Sequence, residues 1–560
     1  MARLRILQNS LITGVIAPTL LGRVDLEKYY NAVEEAENVV IMPHGGMERR
    51  AGLKYLTEVA TGSRLFSFEF SITQNYVMVM STTDVKIYLP GSGTILSTET
   101  WTVTAAQLAE MDIIQSADTV IITHEDFNPR QIQRQGSDTA WAISDITLTN
   151  IPQFDFGSGN EPVWSATRGY PRTCTFHQGR LWFGGSKSKP TSVWGSVIND
   201  FFNFDDGGTD VQPDDGIFDV LDTDQFNAIQ NIVSGRNLQV MTAGGEFVNT
   251  EDIITPSSSS WVRYTGYGAA RLKPVTLDGS TYFMDRFRKT VRGFIYDFEE
   301  GGYTTPPVSI LAEHIINDVQ DLDIVRGSSI SVSNLLYLVN ADGTVAVFNT
   351  MRKENISGWT KWTTVGNFKK VTVTGDTVTF IVERDGTEYL EVLDDTVLLD
   401  HTFKTTSAEK VEVDQVLFDN EIRVVGDSIT QTTTAAVDES GTYYAYADDT
   451  VDEIYAGLNY NVLVKTLPVS ANTQSEGNIV NLPKRITRCI LNLYQARGIY
   501  VNDNLVTNRK FGDPTDEVFT PVTGIESIYL LGYNTKAQVE ITQKNPDPMT
   551  LLSLDLEVSY

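Results

Sequence analysis

The sequence predicts a mainly β protein: a β-propeller of about seven blades joined to a β-rich platform domain containing one N-terminal amphipathic helix. Three observations carry the prediction. Short alternating runs, separated by Gly, Asp, Asn and Ser turns, begin near Leu65 and continue to about residue 395. Within that span one strand–turn–strand unit recurs seven times. Ahead of it, a single stretch has the apolar spacing of a helix.

The seven copies are YVMVM-STTD-VKIYL, TVIIT-HEDFNPR-QIQRQ, RLWFGG-SKSKPT-SVWGS, NLQVM-TAGG-EFVNT, TYFMDRFRKT-VRGFIYDF, LLYLV-NADG-TVAVF and TFIVE-RDG-TEYLEV. Anchored at Val77, Val120, Leu181, Leu238, Tyr282, Leu336 and Thr379, they step by 43, 61, 57, 44, 54 and 43 residues. Propeller blades repeat at roughly 40–50 residues, and loops absorb the longer steps. Neither a WD nor a kelch signature is present, and a run of β-sandwiches would supply similar strands. Trp359 and Trp362 read as packing between blades, where bulky residues are needed.

The helix is placed from Leu26 to Val40, with Leu26, Tyr29, Tyr30, Val33, Ala36 and Val40 on one face and Glu27, Lys28, Glu34, Glu35 and Glu37 on the other. Pro43 ends the following apolar run, Gly45-Gly46 makes a tight turn, and Arg49-Arg50 follows. Past about Asp400 the rhythm breaks into a Thr-, Val- and Asp-rich stretch. From Tyr455 strands return and run to an alternating terminal strand, Ser553 to Tyr560. The expected domains are thus 1–60, an N-terminal platform segment with the helix; 61–395, the propeller; 396–455, a small exposed β-domain; and 456–560, a C-terminal β platform segment.

A chain of 560 residues exceeds one compact core and divides into domains. It has 72 acidic and 43 basic residues, a net charge of −29. That balance excludes a sequence-independent grip on nucleic acid or anionic membrane, which needs a basic face. It leaves open DNA that passes without sticking, and equally a solvated surface suited to salt. Two cysteines, Cys174 and Cys489, make no disulfide framework and no zinc spacing. The opening MARLRILQNSLITG imitates a signal peptide, but Gln8, Asn9, Ser10 and Thr13 interrupt its apolar core. No run of eighteen apolar residues exists to span a membrane, so the expectation is a soluble protein made in a cytoplasm.

Catalytic motifs were sought in turn. Asp boxes, a G-x-S-x-G elbow and a Walker loop are absent, and His124-Glu125-Asp126 lacks the second histidine of HExxH. The five histidines are isolated, and no one carboxylate pair stands out as a glycosidase pair. The chain is read as a non-enzyme with no cofactor or metal. An acidic cluster, Asp205, Asp206, Asp210, Asp214, Asp215, Asp219, Asp222 and Asp224, invites a calcium reading, although EF-hand spacing fails. A solvated loop and a repulsive lining or partner-docking loop are the other readings. Arg286, Arg288, Lys289 and Arg292 form the densest basic patch; strand parity would put the three arginines on one face, in a salt-bridge ladder with the surplus carboxylates.

Several segments resemble a known family. Gly14-x-x-Ala17-Pro18, Gly22-Arg23-x-Asp25-Leu26-x-Lys28-Tyr29, and Asn38-x4-Pro43-x-Gly45-Gly46-x-x-Arg49-Arg50-x-Gly52 resemble the opening of the tail nozzle proteins of short-tailed phages (podoviruses), also called tail tubular protein B. Further matches follow in order: Gln115-Ser116-Ala117-Asp118 to Asn128-Pro129-Arg130, Gly169-x-Pro171-Arg172 to Gly179-Arg180-Leu181, Val193-Trp194-Gly195-Ser196 to Phe202-Asn203-Phe204, Asp214-Asp215-Gly216, Gly244-Gly245-Glu246, Lys484-Arg485 and Pro548-x-Thr550. Val15, His44 and Ala51 depart from the pattern, where the family has Glu, Gln and Pro. The resemblance implies a structural virion protein assembled in the host cytoplasm: a homohexamer around a DNA channel, docked beneath the adaptor ring, with tail fibres or other tail proteins as neighbours. It implies a platform made from both chain ends, and tip loops that narrow the tube, for which residues 396–455 are the candidate. Tyr29, Tyr30, Arg49 and Arg50 would dock or pair between subunits, and Asp205, Asp206, Asp214 and Asp215 would face the channel or a partner. Genomic DNA would slide past without specific binding. Alternatives of another class are a glycan-degrading or a receptor-binding propeller.

Overall fold

Each of the seven repeats folds as the hairpin that its turn residues demand. In the computed structural model the described residues are 3–157, 159–222, 227–327, 333–351, 354, 356–427, 429–431, 434–438, 440–470, 472–473, 477–478, 482–506 and 520–560. The chain is mainly β, and its repeating element is the four-stranded antiparallel meander of a propeller blade. It divides into two units: Met1–Glu58, Leu311–Asn317 and Asp323–Tyr560 form the first, and Val59–Ile310 with Asp318–Leu322 the second. The divisions fall between Glu58 and Val59 and between residues 310 and 323, with none at 395 or 455.

The second unit holds five complete meanders. The first is Arg64–Ser71, Gln74–Met80, Asp84–Tyr88 and Ile95–Thr100. The others run from Asp112 to Asp145, Thr173 to Val220, Ile229 to Thr265 and Val275 to Thr304. The second strands Arg180–Gly184, Leu238–Thr242 and Ser280–Met284 are buried along their whole length. Apolar clusters fill the space between successive meanders; Phe68, Met78, Ile122 and Trp141, for example, belong to one core.

In the first unit, the hairpins of the sixth and seventh repeats extend into larger sheets. Ile356–Trp362 continues through Gly14–Val15 and Ala32–Glu37 to Val462–Thr466 and Glu540–Gln543. Asn367–Thr374, Thr377–Arg384 and Thr387–Asp394 are followed by Gly52–Val59, a strand from the other end of the sequence. Beside it run two long strands, Asp400–Val413 and Tyr443–Leu458. A third sheet joins Val39–Ile41, Met47–Arg49, Thr550–Ser559, Arg485–Ala496 and Val522–Tyr529, and Arg3–Gln8 also pairs with Thr550–Ser559. Trp362 is buried and donates its indole N–H to Val39 O at 3.0 Å, while Trp359 stacks on Phe348 at 4.6 Å. Both tryptophans are packing residues.

The expected helix from Leu26 to Val40 does not form. Glu27–Asn31 is a single 3-10 turn, and Ala32–Glu37 and Val39–Ile41 are strands. A bulge between Val33 and Glu35 and a left-handed Asn38 (φ 56°) interrupt the two-residue alternation. Those breaks place buried Ala32, Val33, Ala36 and Val39 at three- and four-residue intervals, which imitates a helical stripe. Three of the glutamates are paired across strands, Glu34 and Glu35 with Lys465 and Glu37 with Lys361.

The basic patch is also rearranged. Arg286, Arg288 and Lys289 lie in the turn after Ser280–Met284, with Arg288 left-handed (φ 57°), so they share no strand face with Arg292. Arg292 donates to Thr305 O at 3.1 Å and covers the Tyr267 ring at 3.4 Å. The ladder fails because the turn intervenes inside the basic run.

Two glycines allow the parallel strand Gly14–Val15 to approach Ile356–Trp362. A Cβ on Gly14 (φ 64°) would lie 2.2 Å from Trp359 O, and one on Gly358 would lie 2.4 Å from Ile12 O. Gly358→Ala should therefore destabilise the first unit by more than about 1 kcal/mol, read as a lower denaturant midpoint with an unchanged slope; an unaltered midpoint would contradict this close approach.

Candidate functional site

The two adjacent arginines expected at a subunit boundary are instead buried within the first unit. Arg50 is fully buried, and all five of its N–H donors are used. It forks onto Asp400 at 2.8 and 2.6 Å, and also donates to Asn38 Oδ1 at 3.0 Å, Ala51 O at 2.9 Å and Thr363 O at 3.0 Å. The Tyr460 ring covers its guanidinium at 3.7 Å. Arg49 donates to Gln543 Oε1 and to the carbonyls of Asn545, Leu398 and Tyr460. Alternation on Met47–Arg49 turns Met47 and Arg49 inward and Glu48 outward, and Arg50, just past the strand, is buried as well. An inter-subunit ion pair through either residue is corrected accordingly, because their bonds close within the chain.

Asp400 leads into a relay. Its Oδ2 accepts from Thr364 Oγ1 at 2.7 Å, and that hydroxyl accepts from Arg384 at 3.1 Å. Arg384 forks onto Glu391 at 2.7 and 2.8 Å. Glu391 meets His401 Nδ1 at 2.6 Å, and His401 Nε2 meets Asp414 at 2.8 Å. Asp414 in turn caps the short helix Gln415–Asp419 by accepting from Leu417 N–H. His401, held left-handed at φ 51°, lies edge-on to Tyr55, Tyr389 and Phe403.

Burial pushes the Glu391 carboxyl up, but the Arg384 charge and its hydrogen bonds, then His401, outweigh that and hold it at about 2. Burial pushes the His401 imidazole down, and the Glu391 charge with the hydrogen bonds to Asp414 and Glu391 reverses the sign, raising it. With His401 protonated, three cations face three carboxylates.

Sequence reasoning found Arg50 but missed the other five members. One signal was present: the Asp385-Gly386 turn fixes a hairpin in which Arg384 and Glu391 share a face by parity. Asp400 left none, being 350 positions from its partner.

The remaining candidates separate. Tyr29 is buried among Ile16, Ala32 and Leu467, and its hydroxyl accepts from Gly22 N–H at 3.3 Å. Tyr30 stands half-exposed against it at 6.0 Å. Asp205, Asp206, Asp210, Asp214 and Asp215 belong to the connection between Ser192–Gly195 and Ile217–Val220. Buried Arg180 ties that loop down through the carbonyls of Pro213 (2.8 Å), Asp214 (3.2 Å) and Asp215 (2.5 Å). The carboxylates of Asp205, Asp206 and Asp215 accept from backbone N–H groups of the same loop. Asp219 accepts from Ser259 and Trp261, and Asp224 lies outside the described residues. Among the described residues no group of three metal-ligating side chains converges. In the second unit the buried carboxylate of Asp112 takes Lys273 at 2.7 Å, Thr173 at 2.5 Å and Cys174 N–H at 3.1 Å, joining three meanders; Glu246 and Asp285 are buried there as well.

Asp400→Ala should lower the stability of the first unit by about 3–5 kcal/mol, because Arg50 is left as an unpaired buried charge; replacing Arg50 and Asp400 together by Met and Leu should cost less. The raised His401 contributes stability that is complete below the ordinary imidazole value and is lost as pH climbs through the raised one. His401→Gln should flatten that alkaline decline in thermal melts, and an unchanged decline would remove His401 from the linkage.

No protein-family model matches the chain, and no curated protein matches it significantly. Among solved structures, the Neurospora crassa Pan2 WD40 domain is similar at 10% identity over 60% of this chain and 89% of that one, with a TM-score of 0.33. The RRP9 WD40 repeats align at 8% identity over 62% and 99%, with a TM-score of 0.37. YCF48 bound to D1 peptide aligns at 11% over 61% and 96%, with a TM-score of 0.33.

Proposed function

We propose that the chain is a structural component of a short phage tail: the distal nozzle, a propeller of about seven blades on a platform, six copies of which close a DNA-ejection conduit below the adaptor ring. The observation that carries this reading is the interweaving of both chain ends. Arg3–Gln8 and Met47–Arg49 flank Thr550–Ser559, and Ala32–Glu37 pairs with Val462–Thr466. A platform made from both ends is what the ordered resemblance to tail nozzle proteins implies.

Two further features support an assembled role. The strand Val522–Tyr529 is the last of its sheet, and Ile525 (73% exposed), Tyr529 (73%) and, beyond its end, Leu531 (90%) stand open to solvent. An edge with an apolar row, unpaired on one side among the described residues, is a surface that assemblies cover. The net charge of −29 suits a bore through which DNA slides, since few phosphate contacts means little counterion release to hold it. Fibres or other tail proteins would then meet the propeller from outside.

A cryo-EM map of the parent virion decides the reading: six copies around the tail axis are expected, and this chain placed off that axis would overturn it. In the same reading, Ile525→Lys with Leu531→Lys should abolish ring formation on the adaptor while leaving the melting temperature unchanged; rings formed as before would move the contact elsewhere.

A further inference from the structure

Beside the arginine junction, inside the first unit, lies a cavity of about 380 Å³. Its walls are apolar and aromatic, with Leu335, Val378, Tyr337 and Trp362 among them. A volume in this range suits a small ligand or one inserted side chain. Two polar groups on its wall are 97% removed from solvent and each retains an atom without a partner: Nε of Arg49 and Oγ of Ser333. The other four N–H groups of Arg49 go to neutral acceptors. Each such unpartnered buried donor forfeits a hydrogen bond that a bound acceptor would restore.

The mouth has the opposite character. Glu48, Asp376 and Asp395 open onto it, and among the described residues none of the three is ion-paired. Burial, then the neighbouring Asp395 charge, raises the Glu48 carboxyl above its usual range. Against the single Arg49 cation, the cavity is therefore short of positive charge at its rim and short of an acceptor on its wall.

We infer that the cavity takes a lysine of a peptide chain: the ammonium at the carboxylate rim, the alkyl stem along the apolar wall, and a backbone carbonyl accepting from Arg49 Nε and Ser333 Oγ. A small inorganic cation would leave the wall donors unsatisfied, and an anion would meet three carboxylates. The three demands are met together by an organic cation that carries an acceptor several carbons behind its charge. This inference stands apart from the tail reading, since it concerns a pocket complete within one chain.

The test uses the full-length protein and two probes, Nα-acetyl-lysine amide and its uncharged counterpart Nα-acetyl-norleucine amide, followed by saturation-transfer NMR and titration. The lysine probe should bind in the millimolar range, and the norleucine probe at least tenfold more weakly. Glu48→Gln with Asp395→Asn, both at the solvent-facing rim, should weaken the lysine probe at least tenfold with an unchanged melting curve. Ser333→Ala should cost a further few-fold. Binding should also fade as pH drops through the raised Glu48 range. No saturation transfer to the lysine probe, equal binding of the two probes, or full affinity in the rim variant would each overturn the assignment.

Discussion

The first unit is organised around the Arg50–Asp400 fork. Residues from three distant segments reach it: Asn38 and Ala51, then Thr363 and Asp400 supply acceptors, and Tyr460 supplies the ring. A buried ion pair of this kind adds little net stability over an apolar pair of equal volume, because removing two charges from water costs nearly what their attraction returns. Its effect is on alternatives. Any register that separates Arg50 from Asp400 leaves a charge in the interior, and the Arg384–Glu391–His401–Asp414 chain extends the same requirement to the short capped helix. Sequence-distant strands are thereby held to one arrangement, which apolar contacts alone would specify less sharply.

The relay is balanced within a chain that carries 29 excess negative charges. Arg50, Arg384 and protonated His401 balance Asp400, Glu391 and Asp414, and Lys273 balances Asp112 in the other unit. Carboxylates exposed at the surface are screened by water and salt. Repulsion between exposed carboxylates is a modest cost, whereas a single unbalanced carboxylate at the relay would be a large one.

What was legible in the sequence follows from where each strand sits. The seven hairpins could be read because their strands are largely apolar runs joined by polar turns; Leu238–Thr242 and Glu246–Asn249 are buried throughout. Outer strands could not, since Trp261–Thr265 and Ile95–Thr100 are half-exposed and carry no regular alternation. Gly52–Val59 gives no local hint that it joins the strands of the seventh repeat, because that pairing spans more than three hundred positions. The helix error has the same root as the missed relay. A bulge and one left-handed asparagine shift the phase of Ala32–Ile41, and the partners that fix its true state lie near residues 360 and 465.

Arg49 and Arg50 show how little adjacent charge says about exposure. Sequence proximity of two cations suggests a surface, since burying both costs several kcal/mol of solvation. Here each has its own solution. Arg50 fills every donor and meets a carboxylate; Arg49 fills four donors with neutral oxygens and keeps the fifth unpartnered beside a cavity whose lining includes three acids. The first arrangement is complete within the chain and can only be structural. The second is incomplete in the isolated chain, and the difference between them separates a residue that builds the fold from one with something left to bind.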